Sequence, residues 1–234
     1  MNIYADRGNM IMLARRCEWR GIGFQLRASS LGEKLDGASE QLFYIGGGQD
    51  RDQQLCAHDL LENKRSGLHE AAARDALVLG VCGGYQLLGH SYLLGDEEIE
   101  GVSLLDVRTV REDDSRLIGN VAIEVSLGDG AAAAQEGVLA GFENHGGRTR
   151  LGDGQAPLGR VLRGYGNDGR SGSEGARTGN TIGTYLHGPL LPKNAWFADW
   201  LIARALGVDP GELAPLDDRL EQETHMSARR AAGV

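Results

Sequence analysis

The string Leu77-Val78-Leu79-Gly80-Val81-Cys82-Gly83-Gly84-Tyr85-Gln86-Leu87-Leu88-Gly89 constrains the fold of this chain more than any other. Leu77 to Val81 is an apolar run with no polar alternation, so it predicts a strand buried on both faces. The run stops at a cysteine and two glycines, and Tyr85 to Leu88 then opens a helix. Strand, tight turn and helix in direct succession describe a nucleophile elbow, where small neighbours permit strained backbone angles and the nucleophile projects above the sheet. A core cysteine does not need glycine at +1, +2 and −2, so Cys82 is read as a nucleophile. Cys17 on a helix face and Cys56 in a polar segment are read as packing residues. Backbone N–H groups at a helix start favour thiolate over thiol, and the Gly83 amide is placed to donate to an oxyanion.

The preceding residues set the elbow in a sheet. Asn9 to Arg20 reads as an amphipathic helix with Ile11, Ala14 and Cys17 near one face, closed by Gly21, and Ile22 to Ala28 then alternates like a strand. Leu42 to Ile45 is a short apolar strand ending at Gly46-Gly47-Gly48-Gln49-Asp50, followed by helical segments from about Arg51 to Asn63 and Gly67 to Arg74. Strands alternating with helices predict an α/β fold, a mostly parallel central sheet flanked by helices. In such a sheet the loop after Ile45 and the elbow share one carboxyl edge, so Gly47 is a candidate second oxyanion donor.

Beyond Gly101 the pattern is richer in strands: Val102 to Val110, Leu117 to Leu127, Gly159 to Leu162 and Thr181 to Leu186. Gly128 to Gly137 reads as a small-residue loop. Gly164 to Asn180, with six glycines, reads as a flexible surface excursion. A helix from about Lys193 to Leu206 sits between Pro192 and Gly207, and residues 208–234 read as a charged tail or docking helix appended to a domain of residues 1–207. His187 ends the last strand, before Gly188-Pro189, and is preferred as general base over His145 in Phe142-Glu143-Asn144-His145-Gly146-Gly147-Arg148. His58, His69, His90 and His225 lie in polar surroundings and suit solvated or capping roles.

Composition narrows the chemistry. The 36 glycines among 234 residues are about twice the ordinary share of about 7%. They gather partly at the loops just named and partly between Gly164 and Gly179. With 24 basic and 33 acidic residues the net charge is −9, which disfavours nucleic acid or an anionic membrane as partner. The apolar runs are too short to span a bilayer, no signal peptide opens the chain, and a cytoplasmic protein is expected. Three cysteines without CxxC spacing argue against a disulfide framework or a zinc site, and no metal is expected. Gly164-Tyr165-Gly166-Asn167-Asp168-Gly169 matches GxGxxG but opens no helix, and GxxxxGK[ST] does not occur, so no nucleotide site is expected in this chain.

Gly80-Val81-Cys82-Gly83-Gly84-Tyr85-Gln86 resembles the nucleophile motif of class I glutamine amidotransferases, and Tyr185-Leu186-His187-Gly188-Pro189 resembles their histidine motif in the cobyric acid synthase-like branch. Within that branch, Tyr44 to Arg51, Gly141 to Thr149 and Gly183 to Asn194 resemble the GatD family, the glutaminase subunits of lipid II isoglutaminyl synthase. The similarity runs from Asn2 to about Leu206. The resemblance implies that Cys82 attacks the glutamine side-chain amide, that His187 moves the proton, and that amides near Gly83 and Gly47 hold the oxyanion. It further implies that Arg116 binds substrate, and it brings Gln86 and His145 into the set of substrate-binding candidates. Ammonia would pass to MurT, a Mur-ligase-like partner carrying ATP, Mg and the lipid substrate, for amidation of the stem-peptide D-glutamate to D-isoglutamine.

Two departures from the family pattern stand out. The acid expected two positions after the histidine is replaced by Pro189, so the site is either a dyad or draws an acid from elsewhere, such as MurT. Met1 to Tyr4 also leaves little room for a strand before the first helix, which implies an upstream start or a truncated sheet. Two other readings are a glutaminase for a corrinoid carboxylate and a non-catalytic module that docks on a ligase.

Overall fold

The computed structural model describes residues 6–48, 50–94, 96–112, 115–128 and 135–234. The first-strand expectation, Gln49 and most of the Gly128–Gly137 loop fall outside them. In chain order the elements are α1 (Asp6–Trp19), β1 (Leu42–Ile45), α2 (Asp50–Asp59), a π-helical turn (Leu60–Lys64), α3 (Arg65–Ala73), β2 (Leu77–Val81) and α4 (Gly83–Leu88). Then follow β3 (Ser91–Leu94), β4 (Glu97–Glu100), β5 (Val107–Arg111), β6 (Leu117–Leu127), β7 (Gln135–His145), β8 (Gly147–Leu151) and β9 (Gly159–Arg163). The chain closes with β10 (Ser173–Glu174), β11 (Ala176–Thr178), β12 (Thr181–Thr184), α5 (Leu190–Lys193), α6 (Ala195–Leu206) and α7 (Arg219–Ala232).

The sheet that carries the elbow has the order β1-β2-β12-β11. β1 and β12 run parallel to β2, with Ile45 opposite Gly80 and Thr184 opposite Val81, so three strands end at one carboxyl edge. β11 adds an antiparallel margin. Every residue of β2 is buried, because both faces of this sheet are covered. Leu77, Leu79 and Val81 join a core with Leu13, Ile123, Ile182, Phe197 and Leu201, whereas Val78 joins Leu68, Leu88, Tyr92 and Tyr185 on the opposite face. A two-faced core is why the strand reads as a continuous apolar run. The other two sheets, β10-β9-β6-β7 and β4-β3-β5-β8, are largely antiparallel and build the second half of the chain.

Several expectations change. Ile22 to Ala28 forms no strand. The segment runs over the surface with Phe24 40% and Leu26 61% exposed, and it does not pair with β1 although β1 lies at the margin of its sheet. Lys64 holds the continuation of this segment by donating to the carbonyls of Ser30 and Glu33, each at 3.1 Å. The strand expected from Val102 to Val110 begins only at Val107, after Ser103 turns the chain at a φ of 59°. His145 and the residues before it form part of an 11-residue strand, β7.

The segment Gly164 to Asn180 is not a flexible excursion. It contains β10 and β11 and fully buries Asn167 and Glu174. Asn167 Oδ1 accepts the Gly175 N–H at 2.9 Å and the Tyr85 hydroxyl at 3.2 Å, and the Asn167 carbonyl accepts the Thr149 N–H at 2.8 Å. Glycine serves here because the chain must make left-handed turns in a close-packed space. At Gly175 the φ is +63° and a Cβ would meet Leu158 Cβ at 2.8 Å.

Past Gly188, Asn194 anchors the chain between α5 and α6. It is fully buried; its Oδ1 accepts the Ala140 N–H at 2.9 Å, and its Nδ2 donates to the carbonyls of Ala140 at 2.8 Å and Leu190 at 2.7 Å. α6 ends at Gly207 with φ 71°, and α7 packs on α5, α6, β6 and β7, with His225 Nδ1 2.9 Å from the Lys193 carbonyl. Truncating Asn194 leaves three buried backbone groups unpaired. Asn194→Ala is expected to cost about 3 kcal/mol in urea unfolding, and a loss below about 1 kcal/mol contradicts its role as an anchor.

Candidate active site

At the carboxyl end of β2, Cys82 has φ 54° and ψ −109°, a positive-φ conformation outside the left-handed helical region that L-residues rarely adopt. Packing imposes it. A Cβ on Gly84 would fall on the Ile45 carbonyl oxygen, and one on Gly80 would lie 2.6 Å from Leu88 Cδ1, so only glycine lets α4 fold back this tightly. The Cys82 N–H donates to the Thr184 carbonyl at 2.8 Å, and the Cys82 carbonyl accepts the Gln86 N–H at 3.2 Å. Cys82 itself is partly exposed, whereas Cys17 is buried beneath α1.

The glycine loop after β1 meets the elbow. The Cβ direction of Gly47 points to Cys82 Cβ at 3.5 Å, and that of Gly83 points to Gly48 N at 3.1 Å. Both proposed oxyanion residues therefore flank the cysteine. The meeting follows from the parallel register, which brings β1 and β2 to the same edge.

His187 reaches that edge from β12. Its N–H donates to the Phe142 carbonyl at 2.9 Å and its carbonyl accepts the Phe142 N–H at 3.0 Å, which holds the segment beyond Thr184 against β7. Its ring packs edge-on to Phe142 with centroids 6.0 Å apart. The His187 imidazole is pushed down to about 4, first by burial and then by the positive fields of His145, Lys193 and Arg116, with Glu143 acting in the opposite direction. A base with so low a pKa is neutral throughout the physiological range.

Behind His187 lies a polar layer that joins the other candidates. The His145 ring stacks on Tyr185, with centroids 3.6 Å apart and planes 3° from parallel. Its Nδ1 is 2.8 Å from the Gly147 carbonyl, which assigns the proton to Nδ1, and its buried Nε2 has no hydrogen bond among the described residues and stands 3.8 Å from Glu143 Oε2. Gln86 Nε2 donates to the Tyr185 hydroxyl at 3.2 Å, and that hydroxyl is 2.6 Å from Thr149 Oγ1. Burial raises the Tyr185 phenol well above its ordinary value, with Cys82 among the charges that act on it. Gln86 and His145 are thus nearly enclosed and have internal partners. Arg116 is exposed at the rim, where Nε donates to Asn144 Oδ1 at 2.8 Å and Nη2 to the Asn144 carbonyl at 2.9 Å.

The sequence reading did not single out Tyr185, Glu143, Glu174, Asn144 or Lys193. Strand alternation through Gly141 to His145 was the available signal, since it places Glu143 and His145 on one face and Asn144 on the other. The Glu143 carboxylate is fully buried and accepts the N–H groups of Tyr165 at 2.7 Å and Gly166 at 2.9 Å.

Comparison with known proteins fits this geometry. Residues 1–195 match the family described as the CobB/CobQ-like glutamine amidotransferase domain. The chain belongs to that family. Among amidotransferases of this kind it is similar to the lipid II isoglutaminyl synthase (glutamine-hydrolyzing) subunit GatD of Staphylococcus aureus. The two are 39% identical over 206 residues, or 88% of this chain and 80% of the relative. The subunit of the same name from Streptococcus pneumoniae is 37% identical over 227 residues, 95% of this chain and 84% of that one. A chain in the structure of PurLQS from Thermotoga maritima shares the fold at a TM-score of 0.52 and 18% identity, covering 96% of this chain and 95% of its own.

The depressed His187 has a direct readout. In an NMR pH titration its ring resonances are expected to stay unchanged between about pH 5 and 8 and to move near pH 4, and a midpoint near the ordinary value of about 6.5 contradicts this environment. The sign for stability follows. His187 favours the folded state above pH 6.5, and that contribution is lost as pH falls through 4.

Proposed function

We propose that this chain is the glutaminase subunit of a lipid II isoglutaminyl synthase, acting in the cytoplasm with a Mur-ligase-like synthetase, MurT. The observation that carries the reading is the strained Cys82 elbow with Gly47 and Gly83 packed against it, in a chain similar over most of its length to two GatD subunits. Cys82 Sγ attacks the side-chain carbonyl carbon of L-glutamine while His187 takes the thiol proton. The amides at Gly47 and Gly83 stabilise the oxyanion, a contribution worth roughly 3 kcal/mol per donor in other enzymes. As the tetrahedral intermediate collapses, the C–N bond breaks and His187 returns the proton to the leaving nitrogen, releasing ammonia and a Cys82 thioester. Water, deprotonated by His187, then hydrolyses the thioester to glutamate and regenerates the thiol.

Arg116 at the rim suits the substrate α-carboxylate, since its guanidinium offers paired donors. Gln86 and His145, being enclosed, would bind substrate only indirectly, by shaping the polar layer against which it lies. ATP and Mg would be held by the partner, which would use the ammonia to amidate the stem-peptide D-glutamate.

A histidine held near 4 is a strong acid once protonated, well suited to delivering a proton to the departing nitrogen, but a weak base toward a thiol. With Pro189 in the place of the orienting acid, the isolated subunit is expected to hydrolyse glutamine slowly and the complex to do so faster, because an acidic group brought near His187 would raise its pKa. Equal kcat/KM for glutamine with and without the synthetase contradicts this. In the complex, Cys82→Ala is expected to abolish glutamine-dependent amidation and to leave ammonium-dependent amidation intact. Glutamine use by that variant refutes Cys82 as the nucleophile.

A further inference from the structure

The glycine-rich segment behind the site brings a second buried carboxyl group, Glu174, against the strand that leads to His187. Glu174 is fully buried at the end of β10. Thr184 Oγ1 donates to it, 3.0 Å from each carboxyl oxygen, and the Tyr185 N–H donates to Oε1 at 2.6 Å. Thr184 Oγ1 also accepts the Leu186 N–H at 3.0 Å. The three residues preceding His187 are therefore tied, directly or through one hydroxyl, to a single carboxyl group. From the other side, the carbonyl of Thr184 accepts the Cys82 N–H.

Among the described residues, every hydrogen-bond partner of the Glu174 carboxyl is neutral. Burial without a cation, aggravated by the field of Glu143, raises its pKa to about 8 despite these hydrogen bonds. Such a group is costly to the fold, and its hydrogen bonds converge on the strand end that carries the proposed base. Tyr185, held at its N–H by Glu174, carries the stacked His145 ring and bonds Gln86 and Thr149 through its hydroxyl.

We propose that Glu174 is a positioning residue for glutamine hydrolysis, fixing through Thr184 and Tyr185 the strand end that sets His187 opposite Cys82. The proposal rests on the Cys82–His187 reading above. Displacement of reacting groups by about 1 Å can cost about 100-fold in rate. Arg116, at the exposed rim just before β6, is held by Asn144 and not by Glu174, so proton transfer should suffer more than glutamine binding.

The test is steady-state kinetics of the complex with its synthetase, using glutamine and ammonium as alternative nitrogen sources. Glu174→Gln keeps the shape of the protonated group, so the kinetics are run at about pH 9, above the Glu174 pKa of about 8, where the carboxylate presents two acceptor oxygens and the amide only one. The substitution is expected to lower kcat for glutamine about tenfold or more, with KM within about twofold and ammonium-dependent amidation unchanged. Thr184→Val should show the same split, and Thr184→Ser, which keeps the hydroxyl, should restore kcat. Wild-type kcat in Glu174→Gln overturns the proposal, as does an equal fall with both nitrogen sources. Cys82→Ala run in parallel separates the causes. If it still hydrolyses glutamine, the nucleophile reading fails and this proposal with it; if it is inactive while Glu174→Gln is unimpaired, only this proposal fails.

Discussion

The hydrogen bond from the Cys82 N–H to the Thr184 carbonyl, 2.8 Å long, joins the two halves of the site. It continues the parallel ladder of β2 and β12 one residue beyond the strands, to the point where one chain turns into α4 and the other runs on toward His187. The strained angles of Cys82 are tolerable because this bond, the buried β2 and the glycine contacts at Gly80 and Gly84 leave the turn no other conformation. The same register brings the Gly46–Gly48 loop to the cysteine. The proposed nucleophile, oxyanion donors and base thus depend on the strands of one sheet.

Electrostatics beneath that edge is unusual for its concentration of buried polar groups. Glu143, His145, Asn167 and Glu174 are almost wholly enclosed, and their partners are mainly backbone amides, hydroxyls and one another. A layer of this kind is stable only when nearly every group is paired, and it then fixes geometry with little tolerance. The Nε2 of His145, unpaired among the described residues, is the exception, lying beside Glu143 at 3.8 Å.

The parts legible in the sequence were those where one local rule sufficed. Leu77 to Val81 and Leu117 to Leu127 coincide with β2 and β6 because continuous or alternating apolar runs had a sheet to enter. Gly47 and Gly83 lie beside Cys82 because the loop after β1 and the elbow after β2 share one sheet edge, and His187 follows β12 of the same sheet. Ile22 to Ala28 had the alternation but does not enter a sheet, and periodicity cannot report whether a segment is paired. The glycines from Gly164 to Gly179 looked like looseness, although several mark left-handed turns around the buried Asn167 and Glu174; composition cannot separate a slack loop from a tightly folded one. Arg116 carried no local signal, and its placement near His187 emerges only from tertiary structure.

Covalent labelling tests the central claim, that the elbow makes Cys82 the nucleophile toward glutamine, most directly. The protein would be treated with a diazoketone analogue of glutamine, with and without excess glutamine, and mapped by peptide mass spectrometry. The account predicts a single adduct on Cys82, slowed by glutamine, with Cys17 and Cys56 unmodified. An adduct on either of those cysteines instead, or labelling of Cys82 that glutamine does not slow, would contradict it.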